Sequence, residues 1–238
     1  MKQGIIIGAS SGIGWELAVQ LAAKGYQLGL VARRLDKLEA LSNSLPGDHF
    51  VVQADVSEAE IAQDELSKLI ETMGNVELIV LNSGVGQQEK KLDWDIEREM
   101  IDVNIRGFAA LTVVTMNYFR QRGNGHLVGI SSVAAHMSGG LAPTYAATKA
   151  FVSSYLNGMR SRAEYSKLPI TVTTVEPGFV DTPMVQGSPI WTATVEKAVA
   201  QLVPAILNKK GHIYITKRWR YVAWLLNIMP KWLMRRLF

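Results

Sequence analysis

The stretch Gln3-Gly4-Ile5-Ile6-Ile7-Gly8-Ala9-Ser10-Ser11-Gly12-Ile13-Gly14 decides the fold. Its first half is a short apolar run bounded by glycines, and from Ile13 to Ala23 apolar residues recur at helical spacing, so a strand passes through a tight turn into a helix. Backbone amides at that helix start face whatever lies above the strand end, which suits a pyrophosphate. Gly12 and Gly14 would let the backbone approach the ligand and the helix pack on the strand, because neither carries a Cβ. Ser10 and Ser11 add hydroxyls. A glycine cluster elsewhere marks only a turn; between a strand and a helix it points to nucleotide binding.

Working outward, the same alternation recurs. Strands are expected at 3–8, 28–32, 50–54, 76–81, 126–130, 170–175 and 211–215, with helices at 13–23, 35–45, 58–73, 95–120, 145–164 and 194–207. Apolar strands alternating with helices predict an α/β, doubly wound parallel sheet of seven strands covered on both faces. With no linker or repeat, one domain is expected over residues 1–216, leaving 217–238 as a C-terminal helical appendage.

Composition bounds the function. Of 238 residues, 48% are hydrophobic and 19% charged, enough to bury a sizeable core. Cysteine is absent, which removes disulfides, thiolate metal sites and a cysteine nucleophile. His49, His126, His136 and His212 are scattered without ligand spacing, so surface or loop positions are expected and no metal. The net charge of +4 is concentrated in the tail: residues 217–238 hold six basic and no acidic groups, and the remainder is −2, a poor partner for nucleic acid. Neither a secretory apolar region nor a spanning run of roughly 18 residues is seen, so a cytoplasmic location is expected, with peripheral membrane contact left open by the tail.

Two further clusters carry chemistry. The second strand ends in Ala32-Arg33-Arg34, where an NAD site needs a carboxylate for the ribose 2′-hydroxyl; a guanidinium instead suits a 2′-phosphate and favours NADP, against the plainer reading of a solvated arginine pair. After the fifth strand come Ile130-Ser131-Ser132 and then Tyr145-Ala146-Ala147-Thr148-Lys149. Four residues apart on a helix, Tyr145 and Lys149 share a face, so the ammonium can approach the phenol and lower its pKa, making it a usable proton donor and acceptor. Ser132 could hydrogen-bond the reacting oxygen. Alone, a Tyr-x-x-x-Lys pair usually marks an amphipathic helix with a solvated lysine.

Together, Gly8-x-x-x-Gly12-x-Gly14, Asn104, Ser132, Tyr145 and Lys149 resemble the short-chain dehydrogenase/reductase family over about residues 3–216. The resemblance implies a Rossmann-type core and hydride transfer with a nicotinamide cofactor, with Tyr145 as general acid/base and Lys149 lowering its pKa and holding the nicotinamide ribose. It implies that Ser132 positions the carbonyl or alcohol and that Asn104 supports a water-mediated proton relay. It further implies a cofactor set of Gly8, Ser10, Ser11, Gly12, Ile13, Gly14, Arg33, Arg34, Asp55 (beside the adenine), Val56, Asn82, Ser83, Gly84, Tyr145, Lys149, Pro177, Gly178, Val180 and Thr182. Where the family commonly carries Asn-Asn-Ala-Gly, Asn82-Ser83-Gly84 follows Leu81, so the hydrogen bonding of one Asn is missing. Ser11 stands where NADP-preferring relatives often have a basic residue, so the NADP expectation rests on Arg33, helped by Arg34. A homodimer or homotetramer through long helices such as that from Tyr145 is implied by analogy.

The expected function is therefore an oxidoreductase transferring a hydride between NADP(H) and a carbonyl or secondary alcohol. The alternatives are a cofactor-sensing binding protein and a membrane-associated scaffold. Substrate walls are expected from 85–94, 133–141 and 179–191, the last carrying Gly187, Ser188 and Pro189 as a mobile lid. Phe179, Val180, Met184, Ile190, Trp191, Met137 and Leu141 either make that pocket apolar or pack the loops on the core. The tail carries Trp219, Trp224 and Trp232 among Lys217, Arg218, Arg220, Lys231, Arg235 and Arg236, and Pro230 divides it into two helical pieces. It fits a membrane surface, or an arm over the pocket or on a second subunit.

Overall fold

A computed structural model describes residues 2–87, 91–137, 140, 142–184, 191–230 and 232–234. Seven strands form one sheet: β1 (Lys2–Ile7), β2 (Tyr26–Ala32), β3 (Phe50–Gln53), β4 (Leu78–Leu81), β5 (Gly125–Ile130), β6 (Ile170–Pro177) and β7 (His212–Ile215). Their order is β3-β2-β1-β4-β5-β6-β7, and every pairing is parallel. The helices are α1 (Gly12–Ala22), α2 (Leu35–Ser44), α3 (Ala59–Met73), α4 (Trp94–Ile101), α5 (Phe108–Arg122), α6 (Pro143–Ser166), α7 (Val195–Leu207) and α8 (Trp219–Ile228).

Strand periodicity splits the core into two layers. Ile6, Leu28, Leu30 and Val80 face α1, α2 and α7, meeting Leu17, Leu38 and Leu202. Ile5, Ile7, Ile79 and Leu81 face the opposite layer of α3, α5 and α6, meeting Leu66, Phe119 and Leu156. The chain runs outward from β1 to β3 and then returns to lie on the other side of β1, so the order reverses between β1 and β4. Above that reversal the strand ends open a crevice, the place where doubly wound sheets hold ligands. Register levels its rim: Ile7 pairs with Val31 on one side and Leu81 on the other, so the turns after all three strands begin at one height.

The expected helix at 95–120 is interrupted. Between α4 and α5 the chain makes a π-helical turn, Asp102–Gly107, where Gly107 lies so close to Val56 that a Cβ would sit 2.0 Å from the Val56 carbonyl oxygen. Such insertions are frequent at functional sites, and this one carries Asn104. Helix α6 starts at Pro143, two residues before the expected Tyr145, with proline in the first turn where its missing N–H costs nothing.

Candidate active site

The glycine turn is folded hard onto the end of β4. Gly8 adopts φ +90°, and a Cβ there would lie 2.7 Å from the Ser83 nitrogen; at Gly14 one would lie 2.1 Å from the Gly8 carbonyl oxygen. Asn82 Nδ2 donates to that same oxygen at 2.8 Å, tying β4 to the turn after β1. One asparagine thus makes the link across the switch point although the second of the usual pair is absent.

The two arginines after β2 part company. Arg34 folds over the turn, its Nη2 donating to Ser10 Oγ at 2.8 Å and to Ser11 Oγ at 2.9 Å. Arg33 instead turns to carboxylates, with Nη1 3.7 Å from Asp55 and 3.5 Å from Glu99. Among the described residues, Arg34 thus stands with two hydroxyls of the turn and Arg33 with two carboxylates. Asp55 is engaged locally. Its Oδ1 accepts from the backbone N (2.9 Å) and hydroxyl (2.8 Å) of Ser57, and the Asp55 side chain does not border the cleft, whereas Val56 does.

Ser132 lies two residues beyond β5 and caps the short 3₁₀ turn that follows: its Oγ accepts from Ala134 N at 3.1 Å. Tyr145 and Lys149 stand one turn apart on α6, with the Lys149 Nζ 5.8 Å from the centroid of the Tyr145 ring. Lys149 is 5% exposed and donates to the Ile130 carbonyl at 3.1 Å; burial brings it down to about 8. The phenol was expected to be pulled down by the ammonium. Instead its dry surroundings push it up, and a hydrogen bond with Ser132 opposes that rise, because an uncompensated phenolate is costly where water is excluded.

Asn104 is 1% exposed and uses both ends of its amide: Oδ1 accepts from Val85 N at 2.9 Å, while Nδ2 donates to Val85 O at 2.7 Å and to Thr148 Oγ1 at 3.1 Å. It is an anchor for the loop after β4 rather than a side chain exposed to the cleft. That loop presents Gly86 to Tyr145: a Cβ there would lie 2.7 Å from Tyr145 Cδ2.

One cleft of about 690 Å³ gathers these groups. Of the residues predicted from sequence it is lined by Gly8, Ser10, Ser11, Gly12, Ile13, Arg33, Arg34, Val56, Asn82, Ser83, Gly84, Ser132, Tyr145, Lys149, Pro177, Gly178, Val180 and Thr182; Gly14, Asp55 and Asn104 lie behind its wall. Gly86 and Gln87 line it from within the wall expected over 85–94; missed were Ile96, Glu99 and Met100 on α4. The i, i+3, i+4 spacing of the α4 residues marks a common face; nothing in the sequence singles out Gly86. Met184 lines the cleft, whereas Phe179 and Trp191 pack edge-on against Trp219 at 5.5 and 6.1 Å, so these two hold the loop to the tail. Leu141, Ile190 and the lid residues Gly187, Ser188 and Pro189 lie outside the described residues.

Two histidines also depart from expectation. His126 is 5% exposed within β5, its Nε2 2.7 Å from Thr173 Oγ1; since that hydroxyl donates to Lys210 O, the imidazole must be the donor. Burial, aided by Lys209, lowers it to about 4. His136 lies on the short turn after β5, as expected of a loop position, but is partly buried and does not line the cleft. It bonds the buried Glu176 at 2.7 Å and Asn227 of α8 at 3.0 Å. Burial alone would raise Glu176, but hydrogen bonds from His136, His212 and Ser153 hold it at about 2. Ser153 continues to Ser131, whose Oγ holds the Lys149 carbonyl at 2.8 Å.

Residues 2–193 match the pattern of the family described as short chain dehydrogenase. An uncharacterized oxidoreductase of Mycobacterium tuberculosis is 33% identical over 244 residues, spanning 98% of this chain and 95% of its own. Among solved structures, the alcohol dehydrogenase of the archaeon Thermococcus sibiricus, complexed with 5-hydroxy-NADP, is similar with a TM-score of 0.80 at 26% identity, covering 90% of this chain and 96% of that one. A short chain dehydrogenase/reductase of Burkholderia phymatum in complex with NAD shares the fold with a TM-score of 0.85 at 20% identity, covering 94% and 92%.

Proposed function

The chain belongs to the short-chain dehydrogenase family of oxidoreductases, and we propose that it transfers a hydride between NADP(H) and the carbonyl or secondary alcohol carbon of a small, apolar substrate. The observation that carries this reading is one cleft with Ser10, Ser11 and Arg34 among its lining and Ser132, Tyr145 and Lys149 beyond the switch point.

The residues fit the cofactor. The positive-φ turn at Gly8 and the Cβ-free positions Gly12 and Gly14 bring helix-start amides toward a pyrophosphate. Arg34 with the Ser10 and Ser11 hydroxyls makes a three-group clamp for a 2′-phosphate, and Arg33, occupied by Asp55 and Glu99, plays the lesser part. Val56 and Ile13 wall the cleft, Asn82, Ser83 and Gly84 floor it, and Pro177, Gly178, Val180 and Thr182 close the nicotinamide side, Thr182 standing 3.0 Å from where a Gly12 Cβ would be. When bound, the nicotinamide supplies or accepts the hydride.

The chain's own residues handle the proton. In reduction, Tyr145 donates its phenolic proton to the substrate oxygen, and Ser132 holds that oxygen by a hydrogen bond; in oxidation the same path runs backwards. A phenol pushed up by burial holds its proton at neutral pH, as a donor must, and the Lys149 ammonium beside it favours the anion left after transfer. Asn104 fixes Val85, and through that loop Gly86 sets the place of the tyrosine ring. A homodimer or homotetramer through α5 and α6 accompanies this reading, with Val113 of α5 45% exposed.

The test is loss of reduced-nicotinamide absorbance across a panel of apolar aldehydes and ketones, with NADPH and NADH in parallel. Turnover with NADPH favoured at least about tenfold is expected, one charge-assisted contact being worth roughly that much. Tight NADPH binding without turnover on any carbonyl or alcohol would instead make the protein a cofactor-sensing binder.

A further inference from the structure

Helix α8 has two apolar faces. Trp219, Ala223 and Leu226 turn inward and are buried, Trp219 lying against Gly178 and Asn227 bonding His136. On the opposite side Tyr221, Trp224, Leu225 and Ile228 follow at i, i+3, i+4 and i+7, each 50 to 64% exposed, and Trp232 beyond Pro230 is 66% exposed. At 100° per residue these four helix positions fall in one stripe roughly 100° wide, nearly opposite the buried face. Arg218 and Arg220 fall on its two flanks. Their guanidiniums rest on aromatic rings, Arg220 4.9 Å from the centroid of Tyr221 in the stripe and Arg218 5.2 Å from that of Trp191 outside the helix. Among the described residues neither has a carboxylate partner. From Lys197 to the end the sequence holds nine basic residues and no acidic one.

We propose that this outer face of α8 is a docking surface for an anionic lipid bilayer, on which the helix lies in the plane of the headgroups. Aromatic rings with aliphatic side chains between flanking arginines are what such a layer takes up, the rings entering the acyl boundary while the guanidiniums stay with the phosphates. No helix among the described residues is long and apolar enough to cross a membrane, so the contact is peripheral. Charge selects lipid over a second copy: pairing α8 with itself, in either direction, would bring the arginines of both copies to one seam, and no acidic residue follows Glu196 in the sequence to offset them. Clamped by Trp219, the docked helix would hold Phe179, between the cleft-lining Gly178 and Val180, beside the membrane surface. This inference is independent of the catalytic reading.

The experiment is co-sedimentation of the full chain with phosphatidylcholine vesicles and with vesicles that also carry phosphatidylserine, alongside sedimentation velocity without lipid. Expected is binding to the anionic vesicles that weakens as salt rises, a loss of tenfold or more in W224S/I228S, and roughly fivefold less per removed charge in K217Q and R220Q. Each variant should keep the wild-type melting temperature, since all four side chains are exposed. No binding to anionic vesicles, equal binding to both vesicle types, or unchanged binding of W224S/I228S overturns the proposal. So does a lipid-free dimer that W224S/I228S dissociates, which would give the face to a second copy.

Discussion

Gly86→Ala tests the geometry of the proton donor without touching any group that donates or accepts. A Cβ at this position would lie 2.7 Å from Tyr145 Cδ2 and 2.8 Å from Cε2, whereas ordinary contact begins at 3.4 Å. Something must therefore move by about 0.6 to 0.7 Å. The loop resists, because Val85 is held through both its N and its O by the buried amide of Asn104 at 2.9 and 2.7 Å. The tyrosine ring, which borders the cleft, is the softer partner. Swinging the ring about its Cβ carries the hydroxyl at its far end by about 1 Å, a misplacement that costs on the order of 10²-fold in rate. That is about 2.7 kcal/mol in the barrier. The assay is kcat at saturating NADPH and carbonyl, with NADPH affinity measured by fluorescence titration and the melting temperature as a control. NADPH affinity within about twofold of wild type is expected. A variant with kcat within twofold of wild type would refute the claim that Gly86 positions the ring.

Other consequences follow from single groups. Arg34→Ala removes the guanidinium from Ser10 and Ser11 and should weaken NADPH binding by about 10- to 100-fold while leaving NADH unchanged, at roughly 1.5–3 kcal/mol for charge-assisted bonds; an equal loss for both cofactors would return the 2′-phosphate to another group. Stability should depend on pH in three separate windows. His126, held at about 4, lets the unfolded chain take up a proton the native chain refuses, so unfolding free energy falls as pH drops from about 6.5 to 4, by at most about 1.4 kcal/mol per pH unit. His136 is raised by its bond to Glu176, so its contribution is complete below about 6.5 and is lost as pH climbs through its native value; Glu176, held at about 2, contributes above about 4.3 and loses that as pH falls toward 2. His126→Gln, which keeps a donor for Thr173, should flatten only the middle window in urea titrations; an unchanged slope there would show that His126 is not its source.

What could be seen in the sequence was local. Ile5, Ile6 and Ile7 between glycines, followed by helical spacing, suffice for a strand, turn and helix, and the repeated alternation leaves little choice but a parallel sheet with two helical layers. Tyr145 and Lys149 are neighbours by helical geometry alone. What escaped depends on contacts far apart in the chain. The break at Asp102–Gly107 arises where Gly107 meets Val56, which no window around residue 104 contains. Arg33 and Arg34 are adjacent and chemically identical; what separates them is Glu99, brought over the strand end by α4, against Ser10 and Ser11 on the turn. His126 looked like an ordinary histidine because the hydroxyl that satisfies it comes from β6. The phenol's upward shift belongs to the same class, since the dryness of a site is set by everything that closes over it.

The central claim is that the Tyr145 hydroxyl carries the proton that accompanies hydride transfer. Tyr145→Phe deletes that one oxygen and keeps the ring against Gly86, so NADPH affinity and carbonyl turnover measured side by side test it most directly. The account predicts affinity within about twofold of wild type and turnover reduced on the order of 10³-fold. Turnover near the wild-type rate, with the cofactor bound as before, would contradict it.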